Sequence, residues 1–535
     1  MLPRGSFKLR KYSHFVLLFL IFSWENLVAQ PGTLDKNFGN EGITVIPFEG
    51  GYARVLSMAI QSDSKIVAAG FFHNGQNLDF ALARFGTNGL LDASFGTYGL
   101  VTTDFYQGDN SIRSVVIQND GKIVASGYAY QDTVPNFIIA RYNYDGTLDS
   151  TFGNNGVSVT QIEMASYGFS SAIQSDGKIV VAGTAIYSSS NGQDRSSIAL
   201  ARYKPDGLLD STFGVNGILI TTIGEISDMA QSVKIQDDGK IVVAGSSIYK
   251  EGFNKRPEVI IIRYTANGEM DKTFGIDGVV VSLVNLFSSA SEVILDSSKI
   301  LVSGSTYDGI TEKFLLLKFN EEGVRDSIFG TDGVVTKSIG DNKSIATSLV
   351  LQPDHKILEI GYTFNGIQNV FALARFNENG SIDSVFGEAG IVTTAIDSWD
   401  SYLNVAVMQK DGRIVVGGSA QSSSAAARFV IAQYSLTPNL GILNNYEAEP
   451  TISIFPNPVN DRTTLSYKLA SKSMISICLY DLYGNKIFTF ISNQVKNPGI
   501  SYEELIFPTW ISSGMYMIVL SASSEKKAIK ILKVD

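Results

Sequence analysis

Seven aspartates recur along the chain in one local setting, and a repeated carboxylate is the first place to look for chemistry. They are Asp35, Asp92, Asp149, Asp210, Asp271, Asp326 and Asp383, separated by 57, 57, 61, 61, 55 and 57 residues. Each is followed by Phe-Gly at the same offset, as in Leu34-Asp35-Lys36-Asn37-Phe38-Gly39. A calcium loop gathers several oxygen ligands at closely spaced positions, whereas each of these aspartates stands alone. Aspartate also accepts backbone N–H bonds in turns, so a sevenfold residue is more simply explained by a sevenfold structural need. A cationic series runs in step with it: Arg84, Arg141, Arg202, Arg263, Lys318 and Arg375 each precede one of these aspartates by a fixed offset. A repeated ion pair or carbonyl contact between adjacent units is expected from them. Gln433 fills the seventh place and would have to meet Asp35 if the repeats close on themselves, which implies a weaker seam.

Other chemistry is thinly represented. Beyond the N-terminal segment the histidines are His73 and His355. There is no His-Glu-x-x-His, Gly-x-Ser-x-Gly or Gly-Lys-Ser/Thr phosphate-cradling string. A Ser/His/Asp triad through His73 has nothing to support it. Glycine-rich strings lack the strand–Gly-x-Gly-x-x-Gly–helix context, so no nicotinamide or flavin cofactor is implied. Glycoside chemistry by two carboxylates about 5–10 Å apart stays open, because that distance is not legible in a sequence. No catalytic, cofactor-binding or metal-ligating residue is singled out. Cys478 is the one cysteine of the 535 residues, so no intrachain disulfide forms; it lies in an alternating strand and reads as a small buried side chain.

The elements that carry these residues repeat with them. Gln118-Asn119-Asp120-Gly121-Lys122-Ile123-Val124 has counterparts around Lys65, Lys178, Lys240, Lys299, Lys356 and Arg413. Ala83-Arg84-Phe85 returns at Arg141, Arg202, Arg263, Lys318, Arg375 and Gln433. In the second unit, residues 100–103, 112–118, 122–128 and 137–142 read as strands rich in Val, Ile, Phe and Tyr. Asp120-Gly121 between two of them is a hairpin signal, since the turn needs a positive φ. Four strands repeated at a period near 57 residues describe the blades of an all-β, seven-bladed β-propeller. An open solenoid is the alternative, but its strand edges would be exposed at both ends.

These strings resemble the delta-60 repeat family of bacterial surface and secreted β-propellers, across residues 31–434. The fifth unit departs with Ser297-Ser298 in place of Asp-Gly and the sixth with Asp354-His355, substitutions expected to loosen the turn. The resemblance implies the fold and no reaction.

In a four-stranded meander alternate connections share a face. Asp-Gly-Lys and Leu-Asp-x-x-Phe-Gly then fall on one face. The loops that differ from unit to unit fall on the other: 48–52, 105–110, 130–136, 187–197, 249–258, 307–313 and 397–402. They carry Tyr52, Tyr106, Tyr130, Tyr187, Phe253, Tyr307 and Trp399, with Asp104, Asp109, Asp132, Asp194, Asp308, Asp397 and Asp400. Aromatic faces beside carboxylates suit sugar rings or a basic protein patch, and variable loops on a rigid scaffold are where specificity resides. His73 and His355 fall on opposite faces and cannot share a metal.

The two ends read as addresses. Residues 1–29 have a basic start (Arg4, Lys8, Arg10, Lys11), an apolar run from Phe15 to Phe22 and a polar stretch, the layout of a signal peptide. Eight apolar residues are far short of the roughly 20 that span a bilayer. Residues 435–450 read as a linker, and residues 451–535 as a separate module of short strands. Its Ile454-Phe455-Pro456-Asn457-Pro458, Leu479-Tyr480-Asp481-Leu482-Tyr483-Gly484, Ser513-Gly514-Met515-Tyr516 and Lys526-Lys527-Ala528-Ile529-Lys530 resemble the C-terminal sorting domain of type IX secretion substrates. That resemblance implies a small β-sandwich, a translocon partner, and export to the surface or medium of a Gram-negative bacterium.

The net charge of −10 is uneven: each end carries +3, leaving about −16 over residues 31–450, which argues against a nucleic-acid partner. The expectation is a secreted or surface-displayed propeller that binds a glycan or protein ligand without catalysis. The alternatives are a structural or adhesive surface protein and a carbohydrate-active enzyme using loop carboxylates.

Overall fold

The computed structural model describes residues 30–46, 48, 51–188, 194–251, 254–340, 343–421, 426–436, 453–455, 459–469, 471–481, 486–522 and 525–534. The expected signal peptide, 1–29, and residues 437–450 of the expected linker lie outside them. The chain divides into two compact units, Met1–Asn439 and Leu440–Asp535. Every regular element among the described residues is a β-strand, and among the same residues no helix is long and apolar enough to cross a membrane.

In the first unit the strands form antiparallel meanders of four. Tyr52–Ile60, Ile66–His73, Leu78–Phe85 and Leu100–Thr103 lie in that order, and the pattern recurs to the end of the unit. Two meanders join into a larger sheet through one parallel pair, Ser196↔Ser227. The division into units differs from the sequence expectation by one strand. Leu100–Thr103 is not the first strand of the second unit but the outer strand of the first, in register Phe80↔Thr103 to Ala83↔Leu100. The Leu-Asp-x-x-Phe-Gly segment causes this by doubling back: Asp92 N donates to Arg84 O at 2.8 Å, and Arg84 N to Gly99 O at 2.9 Å. The chain therefore returns beside the strand it has just left. The shift moves both strings together, so they still share one face, at the ends opposite the variable loops.

The last meander borrows its outer strand from the other end of the unit. Ile43–Ile46 pairs with Arg428–Tyr434, Ile43↔Ala432 to Ile46↔Phe429. Apolar clusters bridge neighbouring sheets, and one of them packs Val55 and Met58 of the first against Val415, Phe429 and Ile431 of the last. Phe95, 0 % exposed, shows how sheets lock. Gly146 of the next connection has φ 89°, and a Cβ there would lie 2.8 Å from Val101 and 2.9 Å from the Phe95 ring. Only glycine combines that φ with that approach. Gly96 N donates to Asp145 O at 2.8 Å beside it, and Gly387 N to Pro31 O at 2.8 Å makes the same bond across the two ends of the unit.

The hairpin turns keep their shape where glycine is replaced. Ser64 and His355 adopt φ of 69° and 61°, so the first unit departs from Asp-Gly as well as the sixth. The fifth turn is tightened, not loosened: Ser297 takes φ 53° and pairing runs to Asp296↔Lys299.

The second unit has a three-stranded sheet, Ser453–Phe455, Arg462–Leu469 and Gly499–Ile506, and a four-stranded one of Lys486–Lys496, Ser473–Tyr480, Gly514–Ala522 and Glu525–Lys533. Leu465 and Leu505 from one sheet and Ile477 and Ile518 from the other share an apolar core. The strand Gly499–Ile506 was not apparent from the sequence. Cys478 is half-buried and free, with Sγ 3.5 Å from Thr489 Oγ1.

Candidate functional site

The repeated aspartates are anchors. Arg141 Nε donates to Asp149 Oδ2 at 2.7 Å and Lys122 Nζ, from the hairpin turn, to the same oxygen at 2.9 Å. Thr151 donates to Oδ1 from its hydroxyl at 2.7 Å and its N–H at 3.1 Å. Burial opposes ionisation of this carboxyl, but the bonds from Lys122 and Thr151 and the charge of Arg141 outweigh it and hold it well below the usual carboxylate range. The pair recurs at Arg84–Asp92 (2.8 Å), Arg202–Asp210 (2.9 Å), Arg263–Asp271 (2.8 Å) and Arg375–Asp383 (2.8 Å). The same guanidinium reaches onward: Arg141 Nη1 donates to Pro205 O at 2.7 Å and Arg202 Nη1 to Ala266 O at 2.6 Å. Ion pair and carbonyl contact thus coexist, the first within a sheet and the second between sheets. Lys318 keeps only the carbonyl bond, to Glu378 O at 3.3 Å, and Asp326 is held instead by Lys299 at 2.7 Å.

The seam at Asp35 does not lack charge, contrary to the sequence expectation. Arg413 replaces the turn lysine and donates from Nη1 to Asp35 Oδ2 at 2.5 Å and to Gln433 Oε1 at 3.1 Å. The cation has moved from one strand to the neighbouring turn. Among the described residues no cluster of three or more His, Cys, Asp or Glu is placed to hold a metal ion.

The opposite face carries the variable loops. A cleft of about 700 Å³ opens there, lined by Phe287, Ser289, Thr306, Tyr307, Ile310, Glu312 and Lys343 among others. The Phe287 and Tyr307 rings stack at 5.8 Å with 13° between planes, and Lys343 pairs with Glu312 at 2.5 Å. That bond to Glu312 holds the Lys343 ammonium above its ordinary pKa. Other aromatics gather along the same end of the inner strands. Tyr52 stacks on His73 at 4.7 Å, Tyr362 meets Tyr402 at 5.0 Å, and the Tyr130 and Tyr167 hydroxyls lie 3.0 Å apart. Trp399 instead lies under the Arg428 guanidinium (5.1 Å) against the core. Tyr187 accepts from Ser197 Oγ at 3.4 Å, Tyr106 is exposed, and Phe253 lies outside the described residues.

The loop carboxylates accept backbone N–H groups of their own loop or of a neighbouring one. Asp109 Oδ1 accepts from Leu78 N at 2.9 Å and Asp400 Oδ1 from Asn369 N at 2.8 Å. Asp104 Oδ1 accepts from Gln107 N at 3.1 Å. Asp308 takes Ile310 N, Thr311 N and Lys313, and the Lys313 bond leads in holding it far below the usual range. Asp132 and Asp397 occupy left-handed turn positions, φ 56° and 51°, and Asp194 opens a strand. Asp79 was not foreseen: burial pushes its carboxyl up, Asp104 adds to the rise, and Asn74 and His73 oppose it.

The inner strands were also overlooked. Each has a β-bulge at mid-strand that puts an extra residue on the side facing a channel of about 250 Å³, as at Arg113, Phe169, Gln231 and Asn404. The next residue is often serine, whose hydroxyl accepts a backbone N–H from the neighbouring inner strand: Ser57 from Val115 at 3.0 Å, Ser170 from Val233 at 3.1 Å. Asn404 Nδ2 donates to Val55 O at 2.7 Å, joining the last inner strand to the first. Polar residues within these otherwise apolar strands, Arg54 and Ser57 or Ser111 and Arg113, were the available signal.

Comparison with known proteins comes in three parts. A family model described as a domain of unknown function (DUF5122) β-propeller matches residues 61–95, 118–152, 174–213, 236–274, 352–386 and 409–436. The gap among these segments coincides with the Ser297-Ser298 unit, and the last match is short because Ile43–Ile46 and the Asp35 string lie at the other end of the chain. A secretion system C-terminal sorting domain model matches residues 453–534. No curated protein matches the chain. Similar solved structures include the polysaccharide lyase Uly1 (11% identity, 75% of this chain and 92% of that one, TM-score 0.40). They also include a Bombyx mori GH32 β-fructofuranosidase (10%, 69% and 85%, TM-score 0.29). A third is PorZ, a surface component of the type IX secretion system of Porphyromonas gingivalis (8%, 92% and 100%, TM-score 0.15).

Proposed function

The chain carries DUF5122 β-propeller repeats and a type IX sorting domain, and from that premise we propose that it is a closed seven-bladed propeller that binds a ligand non-covalently on its variable-loop face. The sorting domain makes it a secreted or cell-surface protein of a Gram-negative bacterium. In this reading Ile43–Ile46 closes the ring, residues 451–535 form a β-sandwich that engages the secretion system, and the rigid clamp face frees the opposite loops to vary.

The cleft beside Phe287 and Tyr307 carries the proposal. A stacked aromatic pair at the rim of a 700 Å³ cleft, with Glu312, Lys343 and Thr306 around it, offers an apolar face for a sugar ring and hydrogen-bonding groups for its hydroxyls. The loop carboxylates favour binding over turnover, because Asp104, Asp109, Asp308 and Asp400 spend lone pairs on loop N–H groups. One observation favours the rival enzyme: the Asp79 carboxyl, raised by burial with Asp104 near it, has the character of a general acid beside a second carboxyl group. Glycan-array binding by the full chain, compared with Tyr307→Ala, together with a reducing-end assay on the bound glycans, separates the readings. Binding lost in Tyr307→Ala with no reducing ends released is expected. Turnover abolished by Asp79→Asn establishes the enzyme, and a bare array for the intact chain favours the structural protein.

A further inference from the structure

The channel along the inner strands is lined by an arginine with no oxygen acceptor. Arg113, at its bulge, lines the cavity of about 250 Å³. Its guanidinium lies 5.4 Å from the Phe169 ring centre and, among the described residues, has no hydrogen bond or ion pair. Arg54, on the adjacent inner strand, has a buried, unpaired Nε but does not line this cavity. Drawing a cation partly out of water is unfavourable unless an anion or acceptors offset it. The clamp arginines show what this chain does when an arginine is structural: each is given a carboxylate or a carbonyl oxygen.

The carboxylate in the channel is already committed. Glu292 pairs with Lys234 at 3.2 Å and accepts Ser348 Oγ at 2.6 Å and Leu349 N at 3.0 Å. Burial lowers the Arg113 pKa, and the Tyr128 phenol is the group that opposes it. Ser57 and Ser170, which accept backbone N–H bonds on this wall, keep their hydroxyl protons to donate. The surroundings therefore offer donors and positive charge in a repeat region whose net charge is strongly negative.

We propose that the axial channel is an oxyanion site, in which the Arg113 guanidinium, with the Ser57 and Ser170 hydroxyls, binds a sulfate, phosphate or carboxylate group. A guanidinium fork matches two oxygens of such a group, and 250 Å³ holds a small ion with its water, at about 30 Å³ per water. The site is on the axis, away from the Phe287 cleft, and stands without the loop-face reading.

The test is calorimetric titration of the full chain with sodium sulfate, sodium phosphate and sodium glucuronate at constant ionic strength in chloride, repeated on Arg113→Met and Arg113→Gln. Saturable one-to-one binding of at least one of them is expected, weakened tenfold or more in Arg113→Met. A response to sulfate or phosphate alone identifies a free ion as the ligand; a response to glucuronate as well identifies the acidic group of a sugar. In anion-poor buffer Arg113→Met should melt at or above the wild-type temperature, because a half-buried cation without an acceptor has been removed. No saturable binding by the unaltered chain overturns the proposal even if the variants fail to fold. Unchanged binding in both variants, or a lower melting temperature of Arg113→Met in anion-poor buffer, overturns it too.

Discussion

Glu359 should make this protein more stable in mild acid than in mild base. The residue is 0 % exposed and takes a strand position filled by Ala68, Ala125 or Val181 in other units. Ser303 Oγ donates to its Oε1 at 2.9 Å, while Oε2 is buried without a partner. Burial dominates and pushes the carboxyl up from 4.5 to about 8, against the Ser303 bond and backbone N–H groups that favour the charged form. In the unfolded chain the group loses its proton near 4.5, but in the folded chain it keeps it to about 8. The unfolded state therefore binds fewer protons through that window, and stability falls as pH rises across it. At 1.36 kcal/mol per pH unit, the loss between pH 5.5 and 8 is about 3 kcal/mol. Glu359→Gln removes the titration and keeps the shape. Urea unfolding of both proteins at the two pH values reads the effect, since every other titrating group is common to them. The stability of the variant relative to wild type should grow by about 3 kcal/mol between pH 5.5 and 8. Parallel pH profiles would refute the assignment of a neutral, buried Glu359.

Arg141→Ala should destabilise by roughly 3–5 kcal/mol, because it leaves Asp149 partly buried with one cation fewer; urea unfolding at pH 7 measures it. The clamp's contribution is full above the ordinary aspartate value of 3.8 and is lost as pH falls through the lower folded value, so the deficit should shrink in acid. Gly146→Ala and Gly121→Ala separate backbone conformation from packing: both have positive φ, but a Cβ at 121 meets only Tyr144, at 3.8 Å. Gly121→Ala should cost about 1 kcal/mol in φ alone, and Gly146→Ala should exceed it by at least about 1–3 kcal/mol of overpacking at Phe95, read from thermal unfolding.

The clamp face was legible because its chemistry is written once per unit. A carboxylate, a cation eight residues before it and a turn lysine recur in step, so their meeting follows from the period itself. The outer strand was placed in the wrong unit because Leu100–Thr103 is four residues long and nothing local to it says which neighbour it joins; the bonds of Asp92 and Gly99 to Arg84 decide that. The exchange of Arg413 for lysine and Gln433 for arginine was half seen, because its logic exists only where residues 378 apart meet. The candidate ligand cleft and the channel were hidden for a different reason. Phe287 and Arg113 come from separate inner strands and Lys343 from the residue before a third, and an aromatic or arginine on one strand carries no mark of the axis it faces. The loop aspartates were conspicuous in the sequence, yet they serve the loops' own N–H groups.

Closure of the ring by the N-terminal strand underlies both the loop face and the channel, and hydrogen–deuterium exchange of the full chain tests it most directly. The amides of residues 43–46 should be protected to the same degree as those of 429–432, which they pair with, and to the same degree as inner pairs such as 80–83 with 100–103. Exchange of residues 43–46 at the rate of an unstructured peptide, with 429–432 unprotected on their outer edge, would contradict the closed ring.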